Sequence, residues 1–347
     1  MAEVLHAASC LRQGPRPPVT SLPATISAPP PEGVAVIVAA WRAASTIGRA
    51  VTSALAQTEA SEVLVVDDAS GDSCATLDAA LKVDDGSGRL KVIGLPVNGG
   101  PARARNAAIA ASSAPWIAIL DSDDYFEPGR LGALLAKSRE GHELIADDLL
   151  QVTEGADRST ARPMWFSDGY GEVSDISFRD FVESNIPHPS RYRRELGFLK
   201  PMMRREFLDR HGLRYDETMR LGEDYDFYAR AMAAGARLRL IPASGYVSVM
   251  RGDSLSARHS RSDLAAFEAA DDRLLATPGL AEADLRLLRA HRLSTQKRIA
   301  WIDFMERLKS KRLAGAGAIV LRDPRLAPHL ASGLMKIAGR RLGVSRS

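Results

Sequence analysis

Uninterrupted apolar runs of strand length alternate along this chain with segments whose apolar residues recur every three to four positions. Val34 to Ala39 (VAVIVA) is the first run, and the segment after it places Ile47, Val51, Ala54 and Leu55 on one helical face. Glu62 to Val66 (EVLVV) predicts a second strand, followed by a turn at Asp67 to Gly71 and a helix ending near Lys82. Leu90 to Leu95 (LKVIGL) predicts a third, an alanine-rich helix runs from Pro101 to Ala111, and Trp116 to Leu120 (WIAIL) predicts a fourth. Strands apolar on both faces need cover on both sides. The pattern therefore predicts an α/β fold, a doubly wound, mainly parallel sheet with helices on both faces. In such sheets ligands bind in the crevice at the carboxyl ends of the strands.

The second half is less regular. Helices are expected at Phe178 to Ser184, Met203 to Arg210 and Asp224 to Ala234, and strands at Arg237 to Pro242 (RLRLIP) and Gly245 to Arg251 (GYVSVMR). Beyond Ser262 the pattern is helical and basic. Gln13 to Pro31 is dominated by Pro, Ser, Thr and Ala, a composition that buries too little apolar surface to offset its ordering entropy. The expected organisation is a disordered Pro-rich segment over 1–32, an α/β domain over 33–260 with halves at 33–130 and 131–260, and a basic helical extension over 261–347.

Composition narrows the function classes. A chain of 347 residues, 45% hydrophobic, buries a sizeable core, and its net charge of +3 is too small for a nucleic-acid-binding surface. No nucleic-acid partner is expected. Cys10 and Cys74 stand in no metal-like spacing and suggest neither a disulfide framework nor a zinc site, which fits a reducing compartment. No apolar run approaches the roughly 20 residues of a membrane span, and the first residues carry no secretory pattern. The expected location is the cytoplasm.

Five polar stretches fall where the crevice should be. In VVDDAS, Val65 to Ser70, a strand-end Asp can accept hydrogen bonds from a base or ribose, or cap the next helix. In NGGPARARN, Asn98 to Asn106, two glycines allow close backbone approach, and Arg103 or Arg105 can meet a phosphate. Neither a P-loop nor a GxGxxG accompanies them. In WIAILDSDDYFEP, Trp116 to Pro128, a strand ends in Asp121, Asp123 and Asp124, and three anions so close need a positive partner. Hard divalent cations take one or two carboxylates, with water and substrate phosphate supplying the rest; a solvated acidic turn is the alternative. In RLGEDYDF, Arg220 to Phe227, Glu223 and Asp224 open a helix, where negative charge is favourable in itself, and Asp224 also suits a general base. In MRGDSLSARH, Met250 to His259, Arg251 and His259 offer a phosphate contact or a further metal ligand beside a structural role.

Taken in order, these stretches resemble the family 2 glycosyltransferases of the GT-A fold: AWRAASTIGRAVTSALAQ after the first strand, then VVDDAS, NGGPARARNAAIA, ILDSDDYFEP and LGEDYDFYARA, across Val34 to Ser256. The resemblance implies a Rossmann-like GT-A domain plus the helical C-terminal extension. It also implies that Ala39, Trp41, Asp67 and Asp68 face the nucleoside of a UDP-sugar, that Arg105 and Asp121 lie at the nucleotide, and that Asp123 and Asp124 hold Mg²⁺ or Mn²⁺ on the diphosphate. Asp224 would be the catalytic base, with Glu223, Arg251 and His259 as additional candidates. Ala39-Ala40-Trp41-Arg42 stands where the family shows Pro-Ala-Tyr-Asn, and an indole can still stack on a base. The Q-x-x-R-W element of processive synthases is missing, which points to single-sugar transfer.

The stretch GFLKPMMRREFLDRHGLRYDETMRLGEDYDF is similar to bacterial exopolysaccharide transferases, and among these the chain resembles the succinoglycan-biosynthesis glucosyltransferases of rhizobia. That implies glucose transfer from UDP-glucose to a lipid-linked oligosaccharide, forming a β-1,6 linkage. It would bring the basic C-terminal helices into peripheral contact with the cytoplasmic face of the inner membrane; a solvated helical face accounts for the same arginines. A Mg-dependent nucleotidyltransferase or phosphohydrolase is one alternative, although a phosphohydrolase would want its nucleophilic Asp where Ala39-Ala40 stands. A non-catalytic sugar-nucleotide-binding protein is another, and it would have no use for Asp224.

Overall fold

The computed structural model describes residues 32–165, 173–187, 195–252 and 260–341; His259 and most of the Pro-rich segment lie outside them. Two compact units result, one drawn from Met1–Phe181 and Arg194–Leu255, the other from Val182–Arg193 and Ser256–Ser347.

In the first unit, β1 (Val34–Ala40), β2 (Ala60–Asp67), β3 (Leu90–Gly94) and β4 (Trp116–Ile119) lie parallel in the order β3-β2-β1-β4. Val34 to Val38 are fully buried, as a run apolar at every position requires. Each buried valine or isoleucine among them contributes on the order of 1.5–3 kcal/mol. Helices α1 (Ile47–Leu55), α2 (Ala75–Leu81) and α3 (Pro101–Ala111) pack on these strands. Cys74, immediately before α2, is not a free thiol, so the expectation of two reduced cysteines does not hold for it.

After β4 the sheet becomes mixed. The elements that follow are β5 (Tyr125–Phe126), α4 (Arg130–Leu135), β6 (Leu144–Thr153), the short β7 (Arg162–Pro163) and β8 (Ser174–Ile176), α5 (Phe178–Ser184), β9 (Met202–Arg204), α6 (Arg205–Arg210), α7 (Glu223–Ala233) and β10 (Leu238–Met250). Strand β9 runs antiparallel between β4 and β6, and β10 pairs parallel with β6 and antiparallel with β5. Three sequence expectations change here. Met203 and Arg204 belong to a strand, with the helix starting at Arg205. The runs RLRLIP and GYVSVMR are one strand whose register with β6 shifts between Ile241 and Tyr246. Strand β6 (LIADDLLQVT) was not anticipated, because Asp147 and Asp148 interrupt its apolar run.

The second unit contains α8 (Arg261–Leu275), α9 (Glu282–Lys309), α10 (Leu313–Arg322) and α11 (Ala327–Arg341). Ser260 and Asp263 close a reciprocal capping box at the start of α8. The buried Asp271 carboxylate meets His291 Nδ1 at 2.8 Å, pinning α8 to α9, and Ala300, Phe304, Ala316, Leu326 and Leu330 form a common core.

Candidate active site

The carboxyl ends of β1, β2 and β3 present loops that tie to one another. Arg42 and Ala69 both adopt left-handed backbone conformations (φ 50° and 51°), which cost a non-glycine residue about 1–3 kcal/mol each. The strain is held by cross-loop bonds: the Arg42 amide donates to Ser70 Oγ at 2.7 Å and its Nε to the Ser70 carbonyl at 3.2 Å. Trp41 is exposed, with the Arg42 guanidinium 4.8 Å above its ring. Ala39 sits half-buried near the end of β1, in register with Val66. Ser70, Gly71, Leu77, Gly94, Leu95 and Pro96 help line a cavity of about 410 Å³ at the ends of β2 and β3.

The two aspartates of VVDDAS are engaged within the protein. Asp67 accepts from the Ser70 amide at 3.1 Å and from its hydroxyl. Asp68 accepts from the amides of Gly99 and Gly100 at 2.8 and 2.7 Å, clamping the turn that launches α3. Gly100 needs φ +89° for that turn, and Pro101 supplies the first helical residue. Burial pushes the Asp68 carboxyl above its ordinary value despite these two donors.

The acidic end of β4 meets two buried cations of the chain itself. Arg105, on α3 and buried, donates to Asp121 Oδ1 at 2.8 Å, Glu223 Oε1 at 2.7 Å and Asp224 Oδ1 at 3.1 Å. Lys200, a buried residue that sequence reasoning did not single out, places Nζ 2.9 Å from Asp121 Oδ2 and 2.6 Å from Asp224 Oδ2. Two cations thus bridge the end of β4 to the first turn of α7, so the charge within the fold is supplied by the chain. Burial would lift the Asp121 carboxyl, but Lys200 and Arg105 outweigh it and hold it at about 2. Burial likewise opposes the charge on Lys200, and Asp121 and Asp224 more than restore it, leaving its ammonium above the ordinary lysine range. Glu223 is raised, mainly by burial.

The three strand-end aspartates therefore differ in kind. Asp124 is locked: Tyr246 Oη donates to Oδ2 at 2.9 Å and the Val249 amide to Oδ1 at 2.8 Å, while burial, then Asp121 and Asp123, push its carboxyl well up. Asp121 is ion-paired. Asp123 is half-buried; its carbonyl accepts from Arg49 Nη2, while its carboxylate accepts from no side chain among the described residues, and burial and the neighbouring Asp121 charge raise it. Arg251 is turned to Glu154, with Nε 3.8 Å from Oε1, and His259 lies outside the described residues. Among the described residues no three His, Cys, Asp or Glu side chains form a complete metal cage. Asp123 is the side chain with an uncommitted carboxylate, and one such oxygen ligand fits a cation whose remaining positions belong to water and phosphate.

A buried frame supports this cluster from behind. Arg130 is fully buried, donates from Nε and Nη2 to Asp147 Oδ1 at 3.0 and 2.8 Å, and gives Nη2 to the Lys200 carbonyl at 2.8 Å. Its guanidinium lies 4.5 Å from the Phe126 ring and 5.0 Å from that of Tyr246. Asp147 Oδ2 accepts from the Ser244 and Tyr246 amides at 3.2 and 3.1 Å, where β10 shifts register. Asp147, one of the two acids that hide β6 in the sequence, thereby positions Tyr246 directly and the Lys200 backbone through Arg130.

The glycosyl transferase family 2 model matches residues 35–198. The chain is 43% identical over 311 residues to the succinoglycan biosynthesis protein ExoU of Rhizobium meliloti, covering 89% of each. It is 37% identical over 312 residues to ExoO of the same organism, covering 88% of this chain and 85% of the relative. Among solved structures, S. aureus TarS 1–349 in complex with UDP-GlcNAc superposes with a TM-score of 0.60 at 17% identity, over 84% of this chain and 92% of that one. At that identity the likeness shows the fold.

Proposed function

The chain belongs to glycosyl transferase family 2 and is a glycosyltransferase, and from that premise we propose an inverting transfer of glucose from UDP-glucose to a hydroxyl of a lipid-linked oligosaccharide during synthesis of a succinoglycan-type exopolysaccharide, through a β-1,6 linkage. The names of the relatives support the pathway, and the nucleotide-sugar bound to TarS supports the donor class. One observation carries the chemistry: Arg105 and Lys200 hold Asp224, from α7, against Asp121, from the end of β4, in a single cluster. A carboxylate thus lies beside a strand-end acidic turn, a pairing that suits a site where an acceptor hydroxyl meets a leaving diphosphate.

In this reading Asp224 takes the proton of the acceptor hydroxyl as its oxygen attacks the anomeric carbon from the face opposite the diphosphate. The new carbon–oxygen bond forms as the bond to the phosphate oxygen breaks, the electron pair leaves with UDP, and an α-linked donor gives a β-glycoside. The transition state has oxocarbenium character, as in inverting hydrolases. Ala39, Trp41 and the cavity beside Ser70 and Gly71 receive the nucleoside. Asp67 and Asp68 shape that region through their bonds to Ser70, Gly99 and Gly100. Asp123, with Asp124 behind it, would hold Mg²⁺ or Mn²⁺, which when bound offsets charge on the diphosphate. The transferase domain is read as 33–260, working at the cytoplasmic face of the membrane that carries the acceptor.

The test is UDP release from a panel of nucleotide sugars, with and without lipid-linked oligosaccharide. UDP-glucose with acceptor is expected to give the fastest release, together with a new glycosidic bond in the product. Release of inorganic phosphate would favour a phosphohydrolase, and tight nucleotide binding with no turnover on any donor a binding protein. Asp123→Ala is expected to weaken metal-dependent donor binding at least about tenfold, the scale seen when support for a metal ligand is removed. Isothermal titration with and without Mn²⁺ reads this directly, and an unchanged metal dependence removes Asp123 from the role.

A further inference from the structure

The last two helices carry a surface that transfer chemistry does not use. The inner face of α10 is satisfied: Ala316, Ile319 and Val320 pack into the core with Phe304 and Leu326. Its outer face is apolar as well. At about 100° per residue, Leu313, Ala314, Gly317 and Leu321 fall within one narrow arc, and all four are exposed. Leu313 is 67% and Leu321 83% exposed, and Met335 on α11 is 68% exposed; Val97 is the one other large apolar side chain among the described residues beyond 60%.

The charge around this stripe is one-sided. Between Arg307 and Arg341 nine lysines and arginines meet one acid, Asp323, a local balance of +8. Earlier in the unit, Arg261, Arg289 and Arg292 pair with Asp303, Glu282 and Asp272. Lys309, Lys311, Arg312 and Arg322 are exposed and form no ion pair with any described residue. A helix with leucines outward, small residues between them and unpaired cations at both ends matches a surface that is apolar inside and anionic at its rim.

We propose that the outer face of α10 docks on an anionic lipid bilayer, its leucines entering the acyl boundary and its flanking cations meeting headgroup phosphates. The inference rests on the lipid-linked acceptor proposed above, because that substrate resides in such a bilayer. An acidic protein partner would satisfy the cations and leave Leu313 and Leu321 without an apolar counterpart.

Flotation of the full chain on vesicles of phosphatidylcholine alone, and of equal parts phosphatidylcholine and phosphatidylglycerol, tests it. Co-flotation is expected with phosphatidylglycerol and not without it, and it should weaken as salt rises. Leu321→Asp and the double variant Lys311→Glu, Arg312→Glu should each lower vesicle binding at least about tenfold, with thermal melts and UDP release in detergent at wild-type levels. Equal flotation of the wild type and both variants, or no flotation on phosphatidylglycerol, overturns the proposal. So does a wild-type dimer that Leu321→Asp dissociates without vesicle binding, which would assign the face to a second copy. The vesicles contain no acceptor, so failure of the transfer reading appears separately, as absent UDP release from a chain that still floats.

Discussion

Asp224→Asn should lower turnover by about 10²–10⁴-fold, the range a positioned general base supplies, while leaving donor binding close to wild type. The charge cluster explains why this variant should fold. Arg105 and Lys200 face three carboxylates, Asp121, Glu223 and Asp224. Replacing Asp224 by its amide leaves two cations against two anions, with Lys200 still 2.9 Å from Asp121 and Arg105 still 2.7 Å from Glu223. No buried charge is orphaned, and the loss falls on proton transfer alone. Glu223→Gln is the matched control: Glu223 shares the first turn of α7 with Asp224 and its Oε1 is paired with Arg105 of α3, so its amide should retain most of the turnover. A wild-type rate in Asp224→Asn, measured as product formed at saturating donor, rules out Asp224 as base. A joint loss of donor affinity and melting temperature would instead make it a structural member of the cluster.

That cluster marks the boundary of what the linear chain discloses. Strands β1, β2 and β4 were legible because a strand buried on both faces leaves an apolar run with no gaps, and α3 was legible because Gly100 and Pro101 announce its start. Strand β6 was hidden by Asp147 and Asp148, which sequence logic assigns to solvent. Both are fully buried, Asp147 because Arg130 and two β10 amides satisfy it, Asp148 because the Met164 and Trp165 amides do. The carboxylates at the crevice were legible as a set, since strand-end position and spacing select them. Their division of labour was not. Lys200 sits 79 residues from Asp121 and 24 from Asp224, and no periodicity relates them. A divalent ion was expected as the answer to the repulsion within DSDD, yet Arg105 and Lys200 already hold Asp121, and Tyr246 with Val249 holds Asp124. Of the three, Asp123 alone keeps a carboxylate free of such partners among the described residues, which is why the proposed cation is assigned to it.

The burial of Lys200 makes its removal the second large effect. Lys200→Met keeps the stem volume and deletes the ammonium, leaving Arg105 alone against three carboxylates. Breaking a buried ion pair from one side costs about 3–5 kcal/mol; the Asp121 side chain is about a third exposed (32%), so water screens part of the loss and the low end, about 3 kcal/mol, is expected. At roughly 2–4 °C per kcal/mol the melting temperature should fall by about 6–12 °C. The pH dependence separates this electrostatic account from a packing defect. The Asp121 carboxyl is held at about 2, below its ordinary 3.8, by Lys200 and Arg105. A lowered folded-state value contributes stability that is fully present above the unfolded value and is lost as pH falls through the folded one. The wild type should therefore lose stability between about pH 4 and pH 2, the window set by those two values. The variant, whose Asp121 titrates nearer its unfolded value, should lose less, and the gap in melting temperature should narrow as acid is added. Activity should respond as well. Without the 2.6 Å contact from Lys200 Nζ, the carboxylate of Asp224, the proposed base, is no longer aimed, and misplacement on the ångström scale costs about 10²-fold in turnover. Lys200→Arg should recover much of the stability, because the charge returns, and little of the turnover, because a planar fork cannot reproduce the position of Nζ between Asp121 and Asp224. A gap that stays constant with pH, together with an unimpaired rate, would show that Lys200 neither neutralises Asp121 nor aims Asp224.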